Sequence, residues 1–396
     1  MKKQEVDWRY NYRKYFPLWR LWAKNKVKRR YGYDIPMLNI PEGNNLILCN
    51  HVTTYDPFIL IAACDKPARV VIAKEFVPLR FRRLLGKRFN PIWKDKNLKD
   101  PSVALEIVRT LRKGDSVFLF PEGNRTFSTK LCYIGESIAK LAESGKANII
   151  YVNIVGGLTI DPRFGLRFRK GHIDMFIRGM LKKEDMANMS LEEIHQDICK
   201  NLSVEEVPSK YPSVSKKRAE KLERVLYRCP VCHELCHIRS EGNLVKCDAC
   251  GLEVTYGEHL LFENPNKEGF PHHDLYDWFK EQEDFVRSST FSPDEIILEE
   301  DHVNLEDINL DHEIFLDKDV HISLSGTSLK VGEREFKISD IKEITVSGKQ
   351  NFIFYVGDTI YRVSSKIAGF NALKYMQVYY RIRHQASGED DSFLGI

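Results

Sequence analysis

The chain has 396 residues, 43% of them hydrophobic, and 60 Lys and Arg against 56 Asp and Glu for a net charge of +4. That length and apolar content suit two or three domains with ordinary buried cores and exclude a disordered chain. No apolar run reaches the roughly 18 residues of a spanning helix and no signal peptide opens the sequence, so a cytoplasmic protein is expected.

The charge is uneven. Cations are dense in the first third, whereas Asp294 to Asp319 and the tail Glu389-Asp390-Asp391 are acidic, so the basic end is expected to meet an anionic partner. Residues 1–34 interleave Lys and Arg with Tyr12, Tyr15, Phe16, Trp19 and Trp22 at three- and four-residue intervals, a stripe that the Lys26 stem extends and Pro17 should interrupt. The pattern predicts an amphipathic segment at an anionic membrane surface, peripheral on the inner face of the cell membrane. A helix packed on the next domain with a solvated basic face is the plainer alternative.

Residues 35–205 read as an α/β layered domain in which strands (45–50, 68–73, 116–120, 148–155) alternate with helices (57–64, near 76–86, 101–112, 131–144). A further strand is expected over 165–177, then a closing helix started by the capping box Ser190-Leu191-Glu192-Glu193. The first strand leads through His51-Val52-Thr53-Thr54-Tyr55-Asp56-Pro57 into a buried helix. Thr53, Thr54 and Asp56 can each cap it, and Pro57 belongs in its first turn. On one continuous helix, residues five apart would point about 140° from each other. A loop-to-helix junction instead lets His51 fold back onto Asp56, which would fix the imidazole tautomer. Some seventy residues on, the strand Ser116 to Phe120 runs into Phe120-Pro121-Glu122-Gly123-Asn124-Arg125-Thr126, a polar turn whose cation suits a phosphate.

Together H-x-x-x-x-D and F-P-E-G-x-R-T resemble the glycerolipid acyltransferase family, typified by bacterial lysophosphatidic acid acyltransferases, over roughly residues 35 to 205. The family's intermediate block corresponds to Ala73-Lys74-Glu75-Phe76-Val77-Pro78, and Lys96 stands where the family usually carries an arginine. The later Val-Pro block reads Tyr151-Val152-Asn153-Ile154, without its proline. The resemblance implies that His51 is a general base oriented by Asp56, and that Lys96, Glu122, Gly123, Arg125 and Thr126 line the acceptor site, with Arg125 on the phosphate. It further implies an acyl thioester donor, acyl-CoA or acyl carrier protein, and a lysophospholipid acceptor, above all lysophosphatidate giving phosphatidate.

A basic connector, 206–228, is expected to hold a helix with Ala219, Leu222, Val225 and Leu226 on one side. Two C-x-x-C knuckles follow, Cys229/Cys232 and Cys247/Cys250, at the spacing of a zinc ribbon over 229–262. Four thiolates close a tetrahedral site, so the zinc is expected to be structural; His233, Cys236 and His237 are competing ligands that break the symmetric pairing. Cys49, Cys64, Cys132 and Cys199 lie singly in apolar surroundings and read as core. His272-His273-Asp274 reads as the start of a linker helix within 263–292, and not as a second metal site. From 293 to 386 alternating strands and a final helix, about 370–382, look like a pleckstrin-homology-type domain, before the acidic tail at 387–396.

A different functional class competes: a non-catalytic adaptor in which the ribbon binds protein or nucleic acid on an acyltransferase-like fold, or an enzyme whose acceptor lacks phosphate. The paired motifs favour catalysis and make nucleic acid the lesser partner, with a protein partner or dimer contact left to the ribbon or the β-rich domain.

Overall fold

The structure, a computed structural model, describes residues 8–32, 34–74, 77, 79–94, 101–308 and 314–387. Lys96 and the tail beyond 387 therefore lie outside the described residues. The chain divides into two compact units, residues 1–126, 130–160 and 170–206, and residues 127–129, 161–169 and 207–396.

In the first unit the elements run α1 (Trp8–Tyr31), β1 (Asn45–Cys49), α2 (Asp56–Ala63), β2 (Arg69–Ala73), α3 (Leu79–Phe89), β3 (Ile92–Lys94), α4 (Pro101–Arg112), β4 (Val117–Leu119), α5 (Ser137–Gly145), β5 (Asn148–Val155), α6 (Gly157–Ile160), β6 (Asp174–Leu181), α7 (Lys183–Met186) and α8 (Leu191–Leu202). The strands form one sheet in the order β3-β2-β4-β1-β5-β6, parallel except for β6. The central strand β1 is buried along its whole length, which explains its unbroken apolar run. Leu46 and Leu48 of β1, with Ile149 and Tyr151 of β5, pack against Ile107 and Leu111 of α4, Ile138 and Ala142 of α5, and Ile194 and Ile198 of α8. Ser190 caps α8 through the expected reciprocal box with Glu193.

Helix α1 continues through Pro17 without the expected interruption. Its seam of Phe16, Ala23, Val27 and Tyr31 is buried, and the helix packs on α2 and α3. Trp22 meets Phe58 at 5.6 Å between ring centroids, and Arg20 donates to the Ala62 carbonyl at 3.3 Å. The aromatic stripe is thus committed in part to the domain itself.

Two boundaries differ from expectation, the first through a bond between loops and the second through a local turn. Helix α5 starts at Ser137 and not at 131, because the Cys132 amide donates to the Glu122 carboxylate at 2.8 Å instead of entering a helix. The strand expected over 165–177 begins only at Asp174. A turn precedes it, closed by Gly165 N donating to Pro162 O at 3.0 Å.

In the second unit, β7 (Ile238–Glu241), β8 (Leu244–Cys247), β9 (Glu253–Tyr256) and β10 (Phe262–Glu263) form an antiparallel meander, followed by α9 (Leu275–Ser288). The helix start expected at His272-His273-Asp274 is there, and Asp274 caps α9 by accepting the amides of Tyr276 and Asp277. The helix expected over 219–226 reduces to a 3-10 turn at Leu222–Arg224. Lys221 is left-handed at φ +75, which breaks the helix, and the amides before the turn bond outside it: Arg218 N reaches Asn243 Oδ1 at 2.9 Å, Ala219 N reaches Gly242 O at 3.0 Å and Lys221 N reaches Ser240 Oγ at 2.8 Å. All four of its apolar side chains are nonetheless buried.

A seven-stranded antiparallel sheet comprises β11 (Ile296–Asp307), β12 (Ile314–Ser325), β13 (Ser328–Val331), β14 (Arg334–Lys337), β15 (Ile341–Ser347), β16 (Asn351–Val356) and β17 (Thr359–Ser365), in the order β14-β13-β12-β11-β17-β16-β15. Helix α10 (Ala372–Ser387) packs against β15 and β16. Its buried Leu373, Tyr375, Met376 and Tyr379 join the sheet's Ile344, Phe352 and Phe354 in the core.

Candidate functional site

Strands β1 and β4 are parallel neighbours in the register Leu46↔Val117, so their carboxyl ends release the two motif loops side by side. Such a crevice outside the carboxyl ends of parallel strands is where open α/β sheets carry their ligands.

His51 leaves β1 and turns back on the first residue of α2. Its Nδ1 lies 2.8 Å from Asp56 Oδ2, and that oxygen also accepts the amides of Val52 at 2.7 Å and Thr53 at 2.9 Å. Oδ1 accepts the Thr53 hydroxyl at 2.5 Å. Surrounded by donors, Oδ2 acts as an acceptor, so Nδ1 carries the proton and Nε2 presents its lone pair. The Asp56 side chain is fully buried and the His51 side chain is 20% exposed, which leaves the imidazole reachable and its partner fixed. No side chain caps α2: its N-cap is Tyr55, and the expected capping groups Thr53 and Asp56 bind one another. Tyr31 of α1 adds its hydroxyl to Thr53 Oγ1 at 3.3 Å.

The second loop is bonded to the first. Glu122 accepts the His51 amide at 2.6 Å through Oε1 and the Cys132 amide at 2.8 Å through Oε2, while Thr126 N donates to His51 O at 3.0 Å. The His51 ring stacks on Phe120 at 4.4 Å. Burial pushes the Glu122 carboxyl up to about 8, against the opposing pull of its two amide donors. Thr126 is buried and its hydroxyl donates to Lys130 O at 2.7 Å. Gly123 is exposed with φ +66, a backbone demand and not one of space, since a Cβ there would meet nothing within 4 Å. Arg125 lies half-buried in the same turn.

Three further residues support the loop, and short motifs do not reveal them. Asn50 joins the end of β1 to β5, giving Nδ2 to Ile154 O at 2.9 Å and taking Ile154 N at 2.8 Å. Gly157 sits so close that a Cβ would stand 2.5 Å from Val52 Cγ1. Glu206, buried and pushed up to about 7 chiefly by that burial, accepts the neighbouring Gly156 amide at 3.2 Å. The Gly156-Gly157 pair was the one available signal, because adjacent glycines after a buried strand mark a close backbone approach.

In the second unit the sulfurs of Cys229, Cys232, Cys247 and Cys250 lie within 4.8 Å of one another, with Cys229 to Cys250 and Cys232 to Cys247 both 3.8 Å apart. A tetrahedron with metal–sulfur bonds of about 2.3 Å has sulfur–sulfur edges of about 3.8 Å, so the four thiols fit one ion. The knuckles match: His233 N donates to Cys229 O at 3.0 Å and Gly251 N to Cys247 O at 2.9 Å, with φ +65 and +73 at the two donors. His233, Cys236 and His237 are outside the group.

Residues 35–155 match the family model described as Acyltransferase. A protein named probable 1-acyl-sn-glycerol-3-phosphate acyltransferase, from Mycoplasma pneumoniae, is 29% identical over 126 residues, which are 30% of this chain and 47% of that protein. The chain thus spans less than half the length of that relative. The solved structure titled 1-acyl-sn-glycerophosphate (LPA) acyltransferase, PlsC, from Thermotoga maritima, aligns with a TM-score of 0.40 at 16% identity, over 51% of this chain and 82% of that one.

Proposed function

We propose that the acyltransferase-family domain of this chain esterifies a lysophospholipid, foremost lysophosphatidate, from an acyl thioester. The observation that carries the reading is the contact of His51 with buried Asp56 beside the Glu122-Gly123-Asn124-Arg125 turn. His51 Nε2 takes the proton of the acceptor hydroxyl, whose oxygen attacks the thioester carbonyl. The tetrahedral adduct collapses, breaking the carbon–sulfur bond, and the departing thiolate takes the proton from the imidazolium, leaving ester and free thiol. Asp56 holds the imidazole and supports its positive charge. Glu122 and Thr126 act through the His51 backbone, and Arg125, with Lys96, recognises the acceptor phosphate.

The four cysteines hold a structural zinc, since a closed thiolate set leaves no position for substrate or water. The strand order and C-terminal helix of residues 293–386 support a pleckstrin-homology-like reading of that region. Among the described residues no helix is long and apolar enough to cross a membrane. Leu18 and Leu21, 65% and 58% exposed on α1 among Lys14, Lys28, Arg29 and Arg30, support contact with an anionic bilayer.

The test is to incubate purified protein with acyl-CoA or acyl carrier protein donors and a panel of lysolipids, and to read products by mass. Phosphatidate from lysophosphatidate supports the proposal; no lysolipid product from either donor by the parent protein sinks it.

A further inference from the structure

Cys236 is the fifth cysteine of the ribbon segment, and neither the metal group nor the proposed transfer uses it. Its backbone is left-handed at φ +66 and its amide donates to Tyr227 O at 2.6 Å. The sulfur stands 3.2 Å from Nζ of Lys374 on α10. That lysine's side chain is only 2% exposed, and its Nζ is 3.1 Å from Glu300 Oε2 on β11. A buried ammonium carries a desolvation cost that its carboxylate partner offsets at best, so this cluster is not explained as a source of stability. Its composition is that of a reactive centre: a nucleophilic sulfur, an amine within the roughly 3–3.5 Å of a near-attack contact, and a carboxylate to take the amine's proton. Cys236 is half-buried and open to a small oxidant, whereas Lys374 is screened from bulk reagents.

We propose that Cys236 and Lys374 form a modification site at which a hydroperoxide drives a reversible sulfur–nitrogen cross-link. The Cys236 sulfur attacks the peroxide, the oxygen–oxygen bond breaks, and the thiol becomes a sulfenic acid while hydrogen peroxide is reduced to water. Glu300 receives a proton from Lys374, the freed amine attacks the sulfur, the sulfur–oxygen bond breaks, and the hydroxyl leaves as a second water. Thiol, amine and hydrogen peroxide thus give a sulfenamide and two waters, and sulfenic acids are known to condense with nitrogen in this way. The bond ties the loop before β7 to α10, and added thiol reverses it.

The experiment uses the full chain as purified, treated with hydrogen peroxide, blocked with a thiol reagent, digested with trypsin and mapped by mass. The expected product is a peptide containing Cys236 joined to one containing Lys374, lighter by two hydrogens than the sum of the linear pair, uncleaved after Lys374 and released by dithiothreitol. Lys374→Arg keeps the charge beside Glu300 but removes the nucleophile. It should abolish the joined peptide and raise trapping of Cys236 by a sulfenic-acid reagent, and Cys236→Ser should show neither. The proposal is overturned if Cys236 of the parent stays a free thiol while the knuckle cysteines oxidise, or if it oxidises without a joined peptide. A joined peptide that persists through another lysine in Lys374→Arg also overturns it. The map of the parent chain decides the matter even where a variant does not fold.

Discussion

Asp56 Oδ2 receives His51 Nδ1 at 2.8 Å while the same carboxylate also holds the Val52 and Thr53 amides and the Thr53 hydroxyl. One buried side chain therefore shapes the loop and fixes the imidazole, and the two effects separate by mutation. His51→Ala should leave the fold intact and reduce ester formation by roughly 10²- to 10⁴-fold, the usual share of general base catalysis. Asp56→Asn should lower activity comparably and also cost about 1–3 kcal/mol of stability, because an amide NH₂ meets groups that are themselves donors. Product mass and thermal unfolding measure the two; transfer by His51→Ala within a few-fold of the parent would rule out the mechanism.

Glu122 makes stability depend on pH in a stated direction. Its folded value, about 8, lies above the ordinary 4.5, so the folded state binds the extra proton between those values. The contribution is fully present below about 4.5 and is lost as pH rises through about 8. Glu122→Gln should be less stable than the parent at acid pH, since one end of the amide opposes a backbone donor, and the gap should narrow toward alkaline pH. Denaturant titrations across that range test this, and parallel curves would refute it.

Gly157 gives a steric test of the same loop. Gly157→Ala forces Val52 Cγ1 away from a 2.5 Å contact, at an overpacking cost of about 1–3 kcal/mol. Because the displaced Val52 and Thr53 amides are the ones that hold Asp56, kcat should fall more than the loss of folded protein accounts for. Loss of activity in strict proportion to unfolded fraction would make Gly157 a packing residue only.

Arg125 separates a phosphate-bearing acceptor from a neutral one. Arg125→Ala should cost roughly 2–5 kcal/mol in apparent transition-state binding of lysophosphatidate and leave slow donor hydrolysis nearly unchanged. Lys96→Ala should cost less. Equal loss with both acceptors would turn Arg125 into a brace for its turn.

For the knuckles, elemental analysis should return one zinc per chain, and Cys247→Ser should lose it. Chelation should destabilise residues 207–396 before it affects chemistry, since no metal step is proposed there. Zinc that remains stoichiometric in Cys247→Ser would exclude the four-thiolate site.

Local patterns disclosed what local energetics dictates. The apolar run before His51, Pro57 at the helix start, the Ser190 capping box, the helix start at His272-His273-Asp274 and the paired C-x-x-C knuckles each involve residues within a few positions of one another, and the structure forms all of them. The short strands β3 and β14 escaped because three or four residues carry too little periodicity, and β14 is a charged edge strand.

What the sequence by itself determined is which chemistry-bearing side chains exist and which lie near each other along the chain. Tertiary structure decided what holds them. Glu122 reaches the His51 amide across 71 positions, Asn50 reaches Ile154 across 104, and Gly157 presses on Val52, all through the parallel packing of β1 between β4 and β5. The same principle removed the helix expected over 219–226. There Lys221 is left-handed at φ +75, a conformation no right-handed helix contains, while the Ala219 and Lys221 amides bond to the distant Gly242 O and Ser240 Oγ.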